Sequence, residues 1–156
     1  MNENAFRLRR DLDGPVEAPA WPADFSCRTL LPEDAPNVHR LLQLAYTEGR
    51  GVPGYAAWWA GLSGDSEFDP ALCFLVIDAQ GKLAGAALCW TSAFLKDLAV
   101  HPTARRLGLG ENLLRQVFRI FREKGASAVD LKVEADNADA IRLYERAGMY
   151  RVPFSG

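Results

Sequence analysis

The spacing of apolar positions changes several times along the chain, and each change predicts an element. Residues 71–77 and 83–90 are two apolar runs that read as strands, and Asp78-Ala79-Gln80-Gly81 between them has hairpin turn chemistry. Residues 94–100 form a third strand, which Pro102 stops, and an amphipathic helix follows from about Gly110 with Arg115, Arg119 and Arg122 on its polar face. Residues 128–134 then alternate strictly between apolar and charged, the mark of a half-buried strand. Asn137 suits a helix N-cap; Ile141, Tyr144 and Ala147 follow at helical spacing with Leu143 beside them, and Gly148 stops the helix. A short strand could follow.

Upstream, residues 27–31 predict a first strand and Pro32-Glu33-Asp34 a helix start. That helix should run on Val38, Leu41, Leu42 and Ala45 to about Glu48, ahead of a flexible loop at 49–54 and an aromatic helix with Tyr55, Trp58 and Trp59. Residues 1–26 differ: 6–12 could be a short strand, but Gly14, Pro15, Pro19 and Pro22 predict an extended connector. The expected organisation is therefore an N-terminal extension over 1–26 and one domain over 27–156. The alternation of strands and helices gives a mixed α/β (α+β) class.

Composition narrows the function classes. At 156 residues, 49% of them hydrophobic, the chain suits one domain with one core. A net charge of −2 argues against a general nucleic-acid or anionic-membrane binder. No apolar run of about 18 residues and no cleavable leader is present, so a cytoplasmic location is expected. Cys27, Cys73 and Cys89 form no Cys-x-x-Cys pair and read as reduced thiols, mostly in the core. With His39 and His101 as the chain's two histidines, no His-based metal site is expected.

The stretch 100–110 reads as a phosphate cradle, because two glycines let the backbone pass close to an anion at a helix N-terminus, where Arg105 and Arg106 add charge. A dinucleotide fingerprint would need a third glycine where Leu113 stands, and a P-loop would need Gly-Lys-Ser/Thr where Gly110 is followed by Glu111 and Asn112. What remains is Arg-x-x-Gly-x-Gly, spelled by Arg105, Gly108 and Gly110. This motif resembles the pyrophosphate loop of the GNAT superfamily of acyl-CoA-dependent N-acetyltransferases. The later segment Asn137, Ala140, Tyr144, Gly148 is similar to that family's Asn-x-x-Ala-x-x-x-Tyr-x-x-x-Gly, which closes over coenzyme A.

The resemblance implies the GNAT fold, a mixed, mostly antiparallel sheet flanked by helices, and attack of a small-molecule or protein amine on the thioester of acetyl-CoA. It assigns the pyrophosphate to the amides of Leu107, Gly108, Leu109, Gly110 and Glu111 with Arg105 and Arg106, and the pantetheine to the backbone of Leu98, Ala99 and Val100. Asn137, Ala140 and Tyr144 would complete the coenzyme site. Tyr144 matches the family's general acid, though it could be a core aromatic. The base is left open. Lys96 and Lys132 stand where relatives often carry a glutamate, and the nearby carboxylates are Asp97, which could cap a strand bulge, and Glu134, which could be a solvent-facing partner of Lys132. His101 reads as structural beside Pro102.

Family members usually continue past Gly148 into two strands, whereas at most one short strand fits here. A shortened C-terminus would leave a sheet edge, to be covered by the strand at 6–12 or by a second subunit in a homodimer. These departures leave an alternative: a degenerate member that binds acyl-CoA as a sensor or interaction module without turnover.

Overall fold

The computed structural model describes residues 4–46 and 51–153. In chain order the elements are β1 (Ala5–Asp11), β2 (Ser26–Thr29), α1 (Ala35–Ala45), α2 (Tyr55–Ser63), β3 (Phe68–Ile77), β4 (Leu83–Trp90), β5 (Phe94–Val100), α3 (Leu109–Glu123), β6 (Ala128–Glu134), α4 (Ala138–Arg146) and β7 (Tyr150–Val152). Among the described residues no helix is long and apolar enough to cross a membrane.

The seven strands form one sheet in the order β2-β3-β4-β5-β6-β1-β7, antiparallel except where β5 and β6 run parallel. Strands β5 and β6 coincide with the predicted runs. Strand β3 begins three residues before the apolar run, at Phe68 opposite Trp90, and its register with β4 is broken until Cys73. Pro70 falls in that broken stretch, where a residue without an N–H is tolerated. In the hairpin turn the Asp78 carboxylate accepts from the amides of Gln80 and Lys82, both at 2.9 Å.

Both faces of the sheet are covered. On one, Leu113, Leu114, Val117, Phe118 and Phe121 of α3 pack on Phe74 and Val76 of β3 and on Val129 and Leu131 of β6. On the other, Val38, Leu41 and Leu42 of α1 and Trp58 and Leu62 of α2 pack on Leu75 and Leu88. The expected continuation of α1 to Glu48 is cut short, since Tyr46 has extended dihedrals (φ −91, ψ 134). Thr47 to Arg50, and with them the start of the expected loop at 49–54, lie outside the described residues.

The N-terminal strand takes an interior place, between β6 and the edge strand β7. It pairs with β6 along its whole length, from Ala5↔Glu134 to Asp11↔Ala128, and with β7 on its other side. The β6 edge that the sequence leaves open is thus covered from within the chain. Leu8 is buried in the core, while Arg7 and Arg9 on the opposite face hold Asp130 at 2.7 and 2.8 Å. Burial works against the Asp130 anion, but hydrogen bonds from Arg9 and Arg7 outweigh it and hold the carboxyl below its usual range. The connector then crosses α3, where Val16, Trp21 and Phe25 pack on the core and the Ala20 amide donates to Asn112 Oδ1 at 2.8 Å.

Candidate active site

The parallel pairing of β5 with β6 stops almost as soon as it begins. Phe94 lies opposite Asp130 and Leu95 opposite Leu131, and no further pairs follow. At that point β5 carries a bulge: Leu88 and Cys89 of β4 face Asp97 and Leu95, leaving Lys96 as the extra residue. A bulge bends and twists its strand, so β5 and β6 diverge. The wedge between them is a cleft of about 1070 Å³, lined by Leu98, Ala99 and Val100 on β5 and by Lys132, Val133 and Glu134 on β6. Among the described residues no strand occupies the neighbouring position along this side of β5, so an extended ligand can pair with the backbone there.

The loop after β5 closes one end. His101 Nδ1 accepts from the Thr103 amide at 3.1 Å, starting a single 3-10 turn at Pro102–Ala104; the expected structural role for this histidine is what the geometry presents. Arg106 has φ +67, and Gly108, the N-cap of α3, has φ +80, a left-handed conformation that favours glycine. Asn112 is buried and fixes this corner, donating from Nδ2 to the Gly108 carbonyl at 3.0 Å while its Oδ1 accepts from Ala20. The first-turn amides of α3 have no acceptor within the helix, which makes the end an anion site. Arg105, Arg106, Gly108, Leu109, Gly110 and Glu111 all line the cleft here, whereas Leu107 is exposed and does not.

The space at Gly110 meets a second demand that the sequence did not supply. A Cβ built on it would lie 3.2 Å from Leu143 Cδ2, so the glycine admits α4 against α3. Helix α4 is the opposite wall. Asn137 caps it, accepting from the Ala140 amide at 3.3 Å, and Gly148 ends it at φ +94 with the Met149 amide donating to the Tyr144 carbonyl at 3.0 Å. Asn137, Ala140, Leu143 and Tyr144 line the cleft.

Tyr144 is nearly buried, and burial, with the Asp97 charge second, pushes its phenol up to about 12. The phenol therefore keeps its proton at neutral pH. Glu134 is exposed and lines the cleft, on the same β6 face as Lys132. Asp97 does not line it. Its carboxylate is held from both sides, Oδ1 accepting from Tyr46 Oη at 2.6 Å and Oδ2 from Lys96 Nζ at 2.9 Å. Tyr46, just past α1, lines the cleft together with Tyr144. Burial first and the Asp97 charge second push the Tyr46 phenol far above its ordinary range. Sequence reasoning missed Tyr46, because nothing local in the sequence links it to Asp97, 51 residues away.

The cysteines lie apart from this site. Cys73 and Cys89 are buried and Cys27 is half-buried, all unpaired, and burial pushes Cys27 and Cys73 up to about 11, where they are protonated and inert. Among the described residues no cluster of three or more His, Cys, Asp or Glu side chains could hold a metal.

The profile of the Acetyltransferase (GNAT) family matches residues 35–149, a span that takes in α1, the splayed strands, the α3 loop and α4. The chain belongs to the GNAT family. A mycothiol acetyltransferase of Clavibacter michiganensis is 44% identical over 85 residues, covering 51% of this chain and 27% of that protein. A Bacillus subtilis protein provisionally named ribosomal protein bS18-alanine N-acetyltransferase is 34% identical over 84 residues, covering 52% of this chain and 56% of its own length. Among solved structures, a GCN5-related N-acetyltransferase from Sphaerobacter thermophilus superposes with a TM-score of 0.84 at 27% identity, covering 95% of this chain and 48% of that one. The chain thus spans between about a quarter and just over half of the length of these relatives.

Proposed function

We propose that this GNAT chain transfers an acetyl group from acetyl-CoA to a primary amine by direct attack. The observation that carries the reading is the splayed β5/β6 pair, a wedge with an arginine-flanked helix N-terminus at one end and a buried, protonated tyrosine in its wall. Acetyl-CoA has matching parts. Its pyrophosphate suits the first-turn amides of α3 with Arg105 and Arg106. Its pantetheine amides suit the unpaired side of Leu98, Ala99 and Val100, and Asn137 and Ala140 bound the same groove. The thioester then lies toward Tyr144, whose phenol protonates the departing thiolate while Asp97 or Glu134 serves as the sink for the amine proton. The acceptor is a small-molecule or a protein amine, the two kinds that the names mycothiol acetyltransferase and bS18-alanine N-acetyltransferase express.

Calorimetric titration with coenzyme A, followed by thiol release from acetyl-CoA over an amine panel, tests this directly. Binding with turnover supports the transferase. Binding without turnover on any amine leaves an acyl-CoA-binding module, and no binding ends both readings. Arg105→Ala should weaken coenzyme A binding by about 1.5–3 kcal/mol, the loss of a charge-assisted bond to phosphate, and should flatten the salt dependence of the affinity. A change below about 0.5 kcal/mol means that Arg105 serves only the surface.

The raised phenol of Tyr144 also sets a pH expectation. A proton donor with an ordinary phenol would lose its proton near pH 10; at about 12 Tyr144 keeps it. The pH profile of kcat should therefore have no descending limb from this group up to about pH 10.5. A limb at pH 8–9 that vanishes in Tyr144→Phe contradicts the assignment.

A further inference from the structure

We propose that Tyr46 is a catalytic residue of this site, its hydroxyl taking the proton of the attacking amine while passing its own to Asp97. The proposal rests on the transferase reading above. Two carboxylates were candidates for the proton sink, and their positions differ. Asp97 does not line the cleft, but two residues that do, Lys96 and Tyr46, touch it; of these Tyr46 carries the hydroxyl that can both accept and donate a proton, and its Oη lies 2.6 Å from Oδ1. Lys96 Nζ holds the other oxygen at 2.9 Å, which orients Oδ1 toward Tyr46. Both contacts are hydrogen bonds donated to the carboxylate oxygens, and the one from Tyr46 already lies along the path the proton would take.

The step balances. The amine nitrogen forms a bond to the thioester carbonyl carbon and its N–H proton moves to Tyr46 Oη. The Tyr46 proton moves to Asp97 Oδ1 in the same event, and as the C–S bond breaks the thiolate takes the proton of Tyr144. Solvent then returns a proton from Asp97 to Tyr144. Tyr46 never stands as a phenolate, in keeping with burial and the Asp97 charge opposing that form. Asp97 also acts on the Tyr144 phenol, so the carboxylate lies within electrostatic reach of both hydroxyls, one on the path of each proton.

The test is thiol release from acetyl-CoA with alaninamide, an alanine-terminated peptide and glucosamine, run on the full chain. Tyr46→Phe keeps the ring and removes the hydroxyl. It and Asp97→Asn should each lower kcat/KM for the best amine by roughly 10²-fold or more, with coenzyme A affinity within about twofold of wild type. The double variant should fall no further than the worse single one, because the two residues act as a unit. In mixtures of light and heavy water the wild-type rate should curve, with two protons in flight, and the Tyr46→Phe rate should fall on a line. Tyr46→Phe within threefold of wild type, losses that multiply in the double variant, or an equal loss in Glu134→Gln with Tyr46→Phe intact would each overturn the relay while leaving the transferase standing. A wild type that binds coenzyme A but acetylates no amine defeats the transferase reading and the relay with it.

Discussion

Replacing Tyr144 with phenylalanine should lower kcat and kcat/KM together by roughly 10²-fold or more while leaving coenzyme A affinity nearly unchanged. The ring is the part that packs, against the α3 side of the sheet, and phenylalanine keeps it. Stability should change by less than about 1 kcal/mol. Only the hydroxyl is lost, and the hydroxyl matters once negative charge develops on the leaving sulfur, so the loss falls on the transition state rather than on binding. An acyl donor whose thiol has a lower pKa should lose less, because a better leaving group needs less protonation. Full kcat in the variant would make Tyr144 a packing residue.

A valine at position 110 should destabilise the protein by about 1–3 kcal/mol, the usual cost of overpacking, and should depress turnover as well. The mechanism is steric. The added Cβ lies 3.2 Å from Leu143 Cδ2 and 3.8 Å from Val100 Cγ2, and the two methyls beyond it are expected to push α4 away from α3. Tyr144 follows Leu143 on α4, so a retreat moves the phenol. A domain of this size should then lose roughly 2–12 °C in Tm. Gly110→Ala is the control: one Cδ must shift by a few tenths of an ångström, and better helix propensity offsets the contact, so it should be near neutral. If the valine variant melts like wild type and loses only coenzyme A affinity, then Gly110 is small for the pyrophosphate and not for α4.

Local chemistry was the part of the molecule legible in the sequence. Strands β5 and β6 were bounded correctly by their apolar patterns, Asn137 caps α4 as its side chain suggests, and Gly148 takes the left-handed turn that a helix end favours. Cys73 and Cys89 are buried as the apolar runs around them implied. These features depend on neighbours within a few residues, and sequence periodicity reports such neighbours. Where a tertiary contact overrides the local pattern, the reading failed at the boundary: α1 stops at Ala45, and the next residue turns its hydroxyl to Asp97 on a strand far along the chain.

The sequence by itself determined the fold family and the segments that face the cleft, because the spacing of Arg105, Gly108, Gly110, Asn137, Ala140 and Tyr144 is a local property of two helix starts and one helix face. Only the tertiary structure decided what joins them. It inserted β1 between β6 and β7, a pairing across more than a hundred residues that no period encodes. It set Leu143 beside Gly110, and it joined Asp97 to the cleft-lining Tyr46 and Lys96. The physical reason is the same in each case. Backbone pairing, close packing and buried hydrogen bonds are made between distant segments, and their geometry exists only once the sheet has brought those segments together.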